Sequence, residues 1–175
     1  MSRSSRSRRV EILSEERYVQ AESPRWDARD GTLAWIDMST GRFYRGSIAD
    51  GRVVAGPSVV VGAQIGAPAP LADAGAGWAV AVDRGLVHVG DDGSVVPLIT
   101  DLAAPGDYMN DGGCDPAGRF WVGSQSMPRD PHCALWSIDA EGVATERLGG
   151  VPVSNGLVFD DSGSTLYYID TLPHR

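Results

Sequence analysis

The sequence predicts an all-β protein, a β-propeller of which about three and a half blades are present. Three observations lead to this prediction. Long helical periodicity is almost absent, short alternating apolar runs recur between Gly, Asp and Pro, and these runs repeat at a nearly constant interval. A chain of 175 residues with 42% hydrophobic residues is also long enough to bury a core.

The repeat is visible in four similar runs, "GTLAWID", "GWAVAVD", "GRFWVGS" and "GSTLYYID". They begin at Gly31, Gly77, Gly118 and Gly163, which gives steps of 46, 41 and 45 residues. A four-stranded propeller blade occupies ~45 residues. Second hairpins with Gly-containing turns lie between the units, and two hairpins make one blade. The last unit contains one hairpin, which gives the half blade.

Each run follows a strand that ends in a turn with an aspartate: Asp27, Asp73, Asp115 and Asp160. A side-chain oxygen at this place can accept a hydrogen bond from the backbone of a tight turn. We therefore expect these four aspartates to be structural.

Closure of the propeller needs more blades than the chain provides, since propellers close with about four to eight. We expect residues 11–175 to be the N-terminal part of a longer propeller. An unclosed propeller has an exposed sheet edge, so the chain alone should be marginally stable or self-associate. Residues 1–10, with Arg3, Arg6, Arg8 and Arg9, are predicted to be a flexible basic arm.

Charge and hydropathy exclude several classes of partner. The net charge of −8 argues against nucleic acid binding, which needs clustered cations. The sequence has no run of about 18 apolar residues, the length that a membrane span needs, and its N-terminus lacks the apolar stretch of a secretory signal. We therefore expect a cytoplasmic protein with no membrane partner.

Cysteine and histidine give no local motif. Cys114 and Cys133 have no CxxC or clustered histidine around them, so we predict two small buried hydrophobic residues. His88, His132 and His174 are scattered, and no catalytic or metal role is expected for them.

Polar residues recur at one position of the repeat. Five residues before each turn aspartate stand Glu22, Pro68, Asn110 and Asn155. The innermost strands of a propeller line its central channel, so these positions should converge at one mouth. Carboxylate and amide oxygens suit Ca²⁺, Mg²⁺, Mn²⁺ or an open Zn²⁺ site. The alternative is that each residue only forms a side-chain turn before a strand.

Three segments resemble the gluconolactonase/regucalcin (senescence marker protein) family: "ESPRWDARDGTLAWID", "NDGGCDPAGRFWVGS" and "VSNGLVFDDSGSTLYYID". Members of that family are six-bladed propellers that hydrolyse sugar lactones with a divalent cation. The resemblance implies that Glu22 and Asn155 are metal ligands and that Asn110 contacts the substrate. Tyr108 stands where the family commonly has a substrate-binding arginine, which implies a differently substituted or less acidic substrate.

The resemblance also implies that some functional residues of the family have no counterpart among residues 1–175. The family's third metal ligand, an aspartate that transfers a proton, is expected beyond Arg175, so no catalytic residue is expected in this chain. Pro128 lies where some members have a glutamate. Asp170 matches Asp37 and Asp83 of other repeats, and we expect it to be structural or to support the site indirectly.

The function implied is a metal-dependent hydrolase of sugar lactones or related cyclic esters, with one divalent cation (Ca²⁺, Zn²⁺, Mn²⁺ or Mg²⁺) as cofactor. With two protein ligands, residues 1–175 alone should bind metal weakly and show negligible lactonase activity. The alternative is a non-catalytic propeller that binds calcium or a protein partner.

Overall fold

The computed structural model of the protein describes residues 10–72 and 77–172. The arm predicted over residues 1–10 therefore lies almost wholly outside the described residues. Within them the chain forms strands joined by turns, together with a short 3-10 turn at Met38–Thr40. None of the helical structure in these ranges is long and apolar enough to cross a membrane.

Consecutive strands pair antiparallel into four separate sheets, each in simple chain order. The first sheet contains β1 (Ala21–Asp27), β2 (Thr32–Asp37), β3 (Arg42–Ala49) and β4 (Arg52–Val60). The second contains β5 (Ile65–Pro70), β6 (Trp78–Val82), β7 (Gly85–Val89) and β8 (Val95–Ile99). The third contains β9 (Tyr108–Cys114), β10 (Phe120–Gln125), β11 (Cys133–Ile138) and β12 (Ala144–Val151), and the fourth pairs β13 (Ser154–Phe159) with β14 (Leu166–Asp170). Three four-stranded sheets and one hairpin confirm the prediction of three and a half blades.

The core lies between neighbouring sheets. Phe43 of the first sheet and Val80 of the second are at most 1% exposed and belong to one apolar cluster. The ring of Phe43 lies 5.6 Å from that of Trp78, also across this interface. A second cluster joins Leu86 of the second sheet to Val122 of the third. Because each sheet buries its faces against the next, successive sheets stack side by side as blades do.

The turn aspartates do what their position predicts. Asp27, Asp115 and Asp160 each accept a hydrogen bond of 2.9–3.0 Å from a backbone N–H of their own turn. The guanidinium of Arg29 also donates to Asp27 and lowers the pKa of that carboxyl. The fourth of these residues, Asp73, lies outside the described residues.

Two glycine positions set the path of the first sheet. Asp50 and Gly51 both have positive φ, 51° and 72°, and form the tight turn between β3 and β4. Gly41 also has positive φ, 62°, and a Cβ placed there would lie 1.9 Å from the carbonyl oxygen of Gly62. Only glycine allows the backbone to pass this close.

The segment before β1 packs on the first sheet. The N–H of Val53 in β4 donates to the carbonyl oxygen of Leu13 at 2.9 Å. The ring of Tyr18 makes edge-on contacts with Trp35 and Tyr44, at centroid distances of 6.1 and 5.2 Å. This segment therefore closes one side of the sheet that carries Glu22.

Candidate active site

The first strand of each sheet lies against its counterparts in the neighbouring sheets. β1 contacts β5, β5 contacts β9, and β9 contacts β13. Each of these four strands has a register shift in its pairing close to its start. Such bulges bend a strand and redirect side chains, and they are common beside active sites. The register shifts follow Glu22, Ile65, Met109 and Asn155. They mark the same end of these four inner strands, and we call this end the mouth.

Asp111 connects three sheets at the mouth. Its Oδ2 accepts a hydrogen bond from the N–H of Gly156 in β13 at 2.9 Å, and its Oδ1 accepts one from Gly112 at 2.8 Å. The hydroxyl of Ser23 in β1 lies 3.5 Å from Oδ1, and the guanidinium of Arg25 lies 3.7 Å away. No local pattern in the sequence marks Asp111, although it follows Asn110 in the quoted "NDGG" stretch.

The side chain of Asn110 is buried and held in one orientation. Its Nδ2 donates to the carbonyl oxygen of Ser154 at 2.7 Å, and its Oδ1 accepts from Nε2 of Gln125 at 2.8 Å. These partners fix which side of the amide carries oxygen. Among the described residues, one N–H and one oxygen lone pair of Asn110 have no assigned hydrogen-bond partner.

Asn155 and Glu22 lie at the starts of β13 and β1. Asn155 donates from Nδ2 to Oγ1 of Thr171 at 3.1 Å, and its Oδ1 accepts from the N–H of Gly156 at 3.1 Å. Glu22 accepts a hydrogen bond of 2.8 Å from Nε2 of Gln20. None of the ion pairs within residues 10–72 and 77–172 involves Glu22. Both side chains therefore keep oxygen lone pairs that could bind a cation.

Tyr108 begins β9, two residues before Asn110. It lies opposite Gln125 in the ladder between β9 and β10, and it is half-buried. Gln125 is the residue that orients Asn110. Tyr108 and Asn110 therefore start the same inner strand, and Tyr108 brings a neutral hydroxyl to it.

In the second sheet, the residue equivalent to Glu22 is not Pro68, the one predicted from the sequence. Ile65 faces Val82 in the ladder just as Glu22 faces Ile36, so Ile65 and not Pro68 holds the position of Glu22. The connection from β5 to β6 is longer than that from β1 to β2. Counting five residues back from the turn aspartate therefore gave the wrong residue in this sheet. The second sheet thus offers an apolar residue at this position under either alignment.

An aspartate stands at the end of the second strand of the first, second and fourth sheets, and in the first two it accepts hydrogen bonds from the backbone that enters the sheet. Asp37 accepts two backbone N–H bonds from the segment entering β1, and Asp83 accepts two from the segment entering β5. In the fourth sheet the entering segment contains Pro152, which has no N–H. Asp170 is 2% exposed, and its Oδ1 has no hydrogen-bond partner among the described residues. Asp37 and Asp83 therefore fix the entry to their sheets, whereas the structural or supporting role expected of Asp170 stays a prediction.

The two cysteines differ in burial. Cys133 is 2% exposed, as predicted. The prediction for Cys114 was wrong, because its side chain is exposed. Cys114 ends β9 and lines an open cleft with Leu98 and Phe120 between the second and third sheets, and the atoms around its thiol raise the pKa of that group by desolvation.

A cluster of three potential metal ligands was not predicted from the sequence. One possible ligand atom from each of Asp107, His132 and Cys133 lies within 4.8 Å of the other two. Asp107 precedes β9, whereas His132 and Cys133 lie where the β10–β11 loop enters β11. No local spacing signals the cluster, because the fold brings together residues 25 positions apart.

The sequence matches a known family over most of its length. Residues 20–175 match the family described as the SMP-30/Gluconolactonase/LRE-like region. The chain is 33% identical over 159 residues to the 6-deoxy-6-sulfogluconolactonase of Pseudomonas putida, an alignment that covers 89% of this chain and 53% of that protein. It is 32% identical over 175 residues to regucalcin of Xenopus laevis, covering 95% of this chain and 57% of that protein.

Solved structures show the same fold. The calcium-binding protein regucalcin of Agrobacterium tumefaciens superimposes with a TM-score of 0.79 at 23% identity, covering 91% of this chain and 53% of that one. A luciferin-regenerating enzyme gives 0.77 at 21% identity, covering 87% and 53%. The chain spans about half the length of the relatives it matches, and the likeness confirms the propeller fold. On the match over residues 20–175, the chain belongs to the SMP-30/gluconolactonase/LRE-like family.

Proposed function

We propose that this protein acts as a divalent-metal-dependent hydrolase of sugar lactones or related cyclic esters. The observation that carries the proposal is the mouth, where oxygen donors and an oriented, buried amide from separate sheets start the inner strands. Membership of a family whose relatives include a named sulfogluconolactonase supports the choice of substrate class.

The donor set fits a hard cation. Glu22 offers a carboxylate and Asn155 an amide oxygen, and neither side chain is in an ion pair among the described residues. Oxygen ligands of this kind suit Ca²⁺, Mg²⁺ and Mn²⁺, and they also occur at open Zn²⁺ sites. A bound cation supplies Lewis-acid polarisation of an ester carbonyl. We expect the remaining protein ligand, an aspartate that also accepts the proton of the attacking water, beyond Arg175.

The residues of the third sheet would bind and orient the substrate. Asn110 is fixed by Gln125 and by the backbone of Ser154, so its unassigned N–H and lone pair point in a set direction. A preset hydrogen-bonding group loses little entropy when it binds a sugar hydroxyl. Tyr108 adds a neutral hydroxyl, which favours a substrate without a carboxylate at that end.

A calcium-binding protein without turnover is the second candidate. The same oxygen donors would hold Ca²⁺, and the structural neighbour from Agrobacterium tumefaciens is described as a calcium-binding protein. The two candidates differ in one measurable property, since only the hydrolase opens a lactone when it is loaded with metal.

The experiment follows lactone opening by proton release. The longest protein translated from the gene that includes these residues is stripped with a chelator, then assayed on glucono-1,5-lactone with Ca²⁺, Mn²⁺ or Zn²⁺. We expect metal-dependent turnover that falls at least ~100-fold in Glu22→Gln and in Asn155→Ala, because each removes a ligand. Glu141→Gln, at an exposed turn, is the matched control and should keep full activity. Full activity in both site variants would refute the assignment, and cation binding without turnover would favour the second candidate.

The isolated 175-residue chain should behave differently from a complete propeller. β14 is an edge strand of the described fourth sheet, and Tyr167 and Ile169 on it are 62% and 57% exposed. We expect this chain alone to self-associate through that edge and to show negligible turnover. Sedimentation of a stable monomer with the turnover of a complete family lactonase would contradict this expectation.

A further inference from the structure

Beside the mouth, the loop between β10 and β11 carries a second group of potential metal ligands. His132 and Cys133 stand at the end of this loop, and Asp107 stands directly before Tyr108 and β9. The loop and the segment before β9 therefore meet at these three side chains. None of them takes part in the oxygen-donor site proposed above.

The distances are close to those of a bound ion. Nε2 of His132 lies 3.1 Å from Oδ1 and 3.0 Å from Oδ2 of Asp107, and Sγ of Cys133 completes a triangle with sides of at most 4.8 Å. Bond lengths of ~2.0–2.3 Å around a tetrahedral zinc place its ligand atoms ~3.3–3.6 Å apart. Small side-chain movements would therefore bring all three atoms onto one ion.

One buried oxygen of the cluster has no hydrogen-bond partner. Oδ2 of Asp107 is inaccessible to solvent and accepts no hydrogen bond of acceptable geometry within the described ranges, although Nε2 of His132 is close. Asp107 as a whole is 7% exposed. Buried carboxylate oxygens are normally satisfied by a donor, a water or an ion. This oxygen lies 3.0 Å from Nε2 of His132, and an ion bound by the cluster would satisfy it.

We propose that Asp107, His132 and Cys133 bind Zn²⁺ or a similar borderline transition-metal ion, at a site separate from the oxygen-donor site of Glu22 and Asn155. Thiolate and imidazole ligands favour zinc over Ca²⁺ and Mg²⁺, which prefer oxygen. Three protein ligands leave at least one position for water. The two sites thus select different ions by their donor atoms.

Access and proton balance are consistent with this ion. His132 is exposed, which gives an ion a path to the two buried ligands. The thiolate is the form of cysteine that bonds a metal, so binding would release the proton of the Cys133 thiol to solvent.

Asp107 directly precedes Tyr108, so an ion bound by the cluster would join the end of the β10–β11 loop to the start of β9.

The test uses Co²⁺ as a spectroscopic substitute for zinc on the full protein. We expect one equivalent of Co²⁺ to give an intense near-ultraviolet band from thiolate-to-metal charge transfer, and excess Zn²⁺ to remove it. Cys133→Ser should lose the band, and His132→Asn should weaken Co²⁺ binding at least ~10-fold. Cys114→Ser is the matched control and should keep the full band, as should Asn155→Ala.

Several results would overturn the proposal. The first is the absence of a charge-transfer band in the wild-type protein, and the second is a band that survives Cys133→Ser or disappears in Cys114→Ser. His132 is exposed, so His132→Asn should fold normally, and a circular dichroism spectrum checks this. A folded His132→Asn protein with unchanged Co²⁺ affinity would also overturn the assignment.

Discussion

Asp111 is predicted to hold the mouth together, and Asp111→Ala tests this. The substitution removes the side-chain acceptor of the Gly112 N–H, at 2.8 Å, and one of two acceptors of the Gly156 N–H, at 2.9 Å. An N–H left without a partner in a buried place costs ~1–3 kcal/mol. Gly112 is buried, whereas the Gly156 N–H keeps the Oδ1 of Asn155 at 3.1 Å, so most of the cost comes from Gly112. We expect a loss of about 1–2 kcal/mol in the free energy of unfolding.

The assay is urea unfolding followed by tryptophan fluorescence, with the m-value compared between variants. Asp111→Asn keeps one carbonyl oxygen as acceptor and should lose about half as much as Asp111→Ala. Asp161→Ala, at an exposed position of the turn before β14, should change the stability by less than ~0.5 kcal/mol. The reasoning is refuted if Asp111→Ala is as stable as the wild type, or if Asp161→Ala loses as much.

Two further predictions concern the first sheet. The Arg29 guanidinium lowers the pKa of Asp27, so this pair stabilises the fold above the unfolded pKa of ~3.9 and the stabilisation is lost as the pH falls through the folded pKa. Asp27→Asn should therefore be about 1–2 kcal/mol less stable at pH 7, with the difference shrinking towards pH 3 in urea titrations; a constant difference would contradict it. Gly41→Ala should cost at least ~3 kcal/mol, because its Cβ would meet the Gly62 carbonyl at 1.9 Å. Gly51→Ala has similar φ but nothing within 4 Å, so thermal unfolding should show only the strain of ~1 kcal/mol.

The sequence predicted the blade architecture because the repeat is written in local patterns. The alternation of apolar residues, the spacing of the glycine runs and the turn aspartates are all properties of short segments. The strands of the structure pair in the order that these segments predict. The match between Asp37 and Asp83 was also predictable, since both end a second strand and both accept hydrogen bonds from the segment entering their sheet.

Other features depend on contacts between sheets and could not be read locally. The three-sheet role of Asp111 requires the position of Gly156, and the cluster of Asp107, His132 and Cys133 requires a loop to fold back. Pro68 was wrongly predicted to be equivalent to Glu22, because the β5–β6 connection is longer than the β1–β2 connection. The pairing of β5 with β6 shows that Ile65 holds this position.

The measurement that most directly tests the central proposal is the affinity of the full protein for Ca²⁺, measured by competition with a fluorescent chelator. Ca²⁺ is chosen because a site with a thiol and an imidazole binds it poorly. We predict one bound Ca²⁺, with Kd raised at least ~10-fold in Glu22→Gln and in Asn155→Ala and unchanged in Glu141→Gln. A wild-type Kd in either Glu22→Gln or Asn155→Ala would contradict the placement of one cation between β1 and β13.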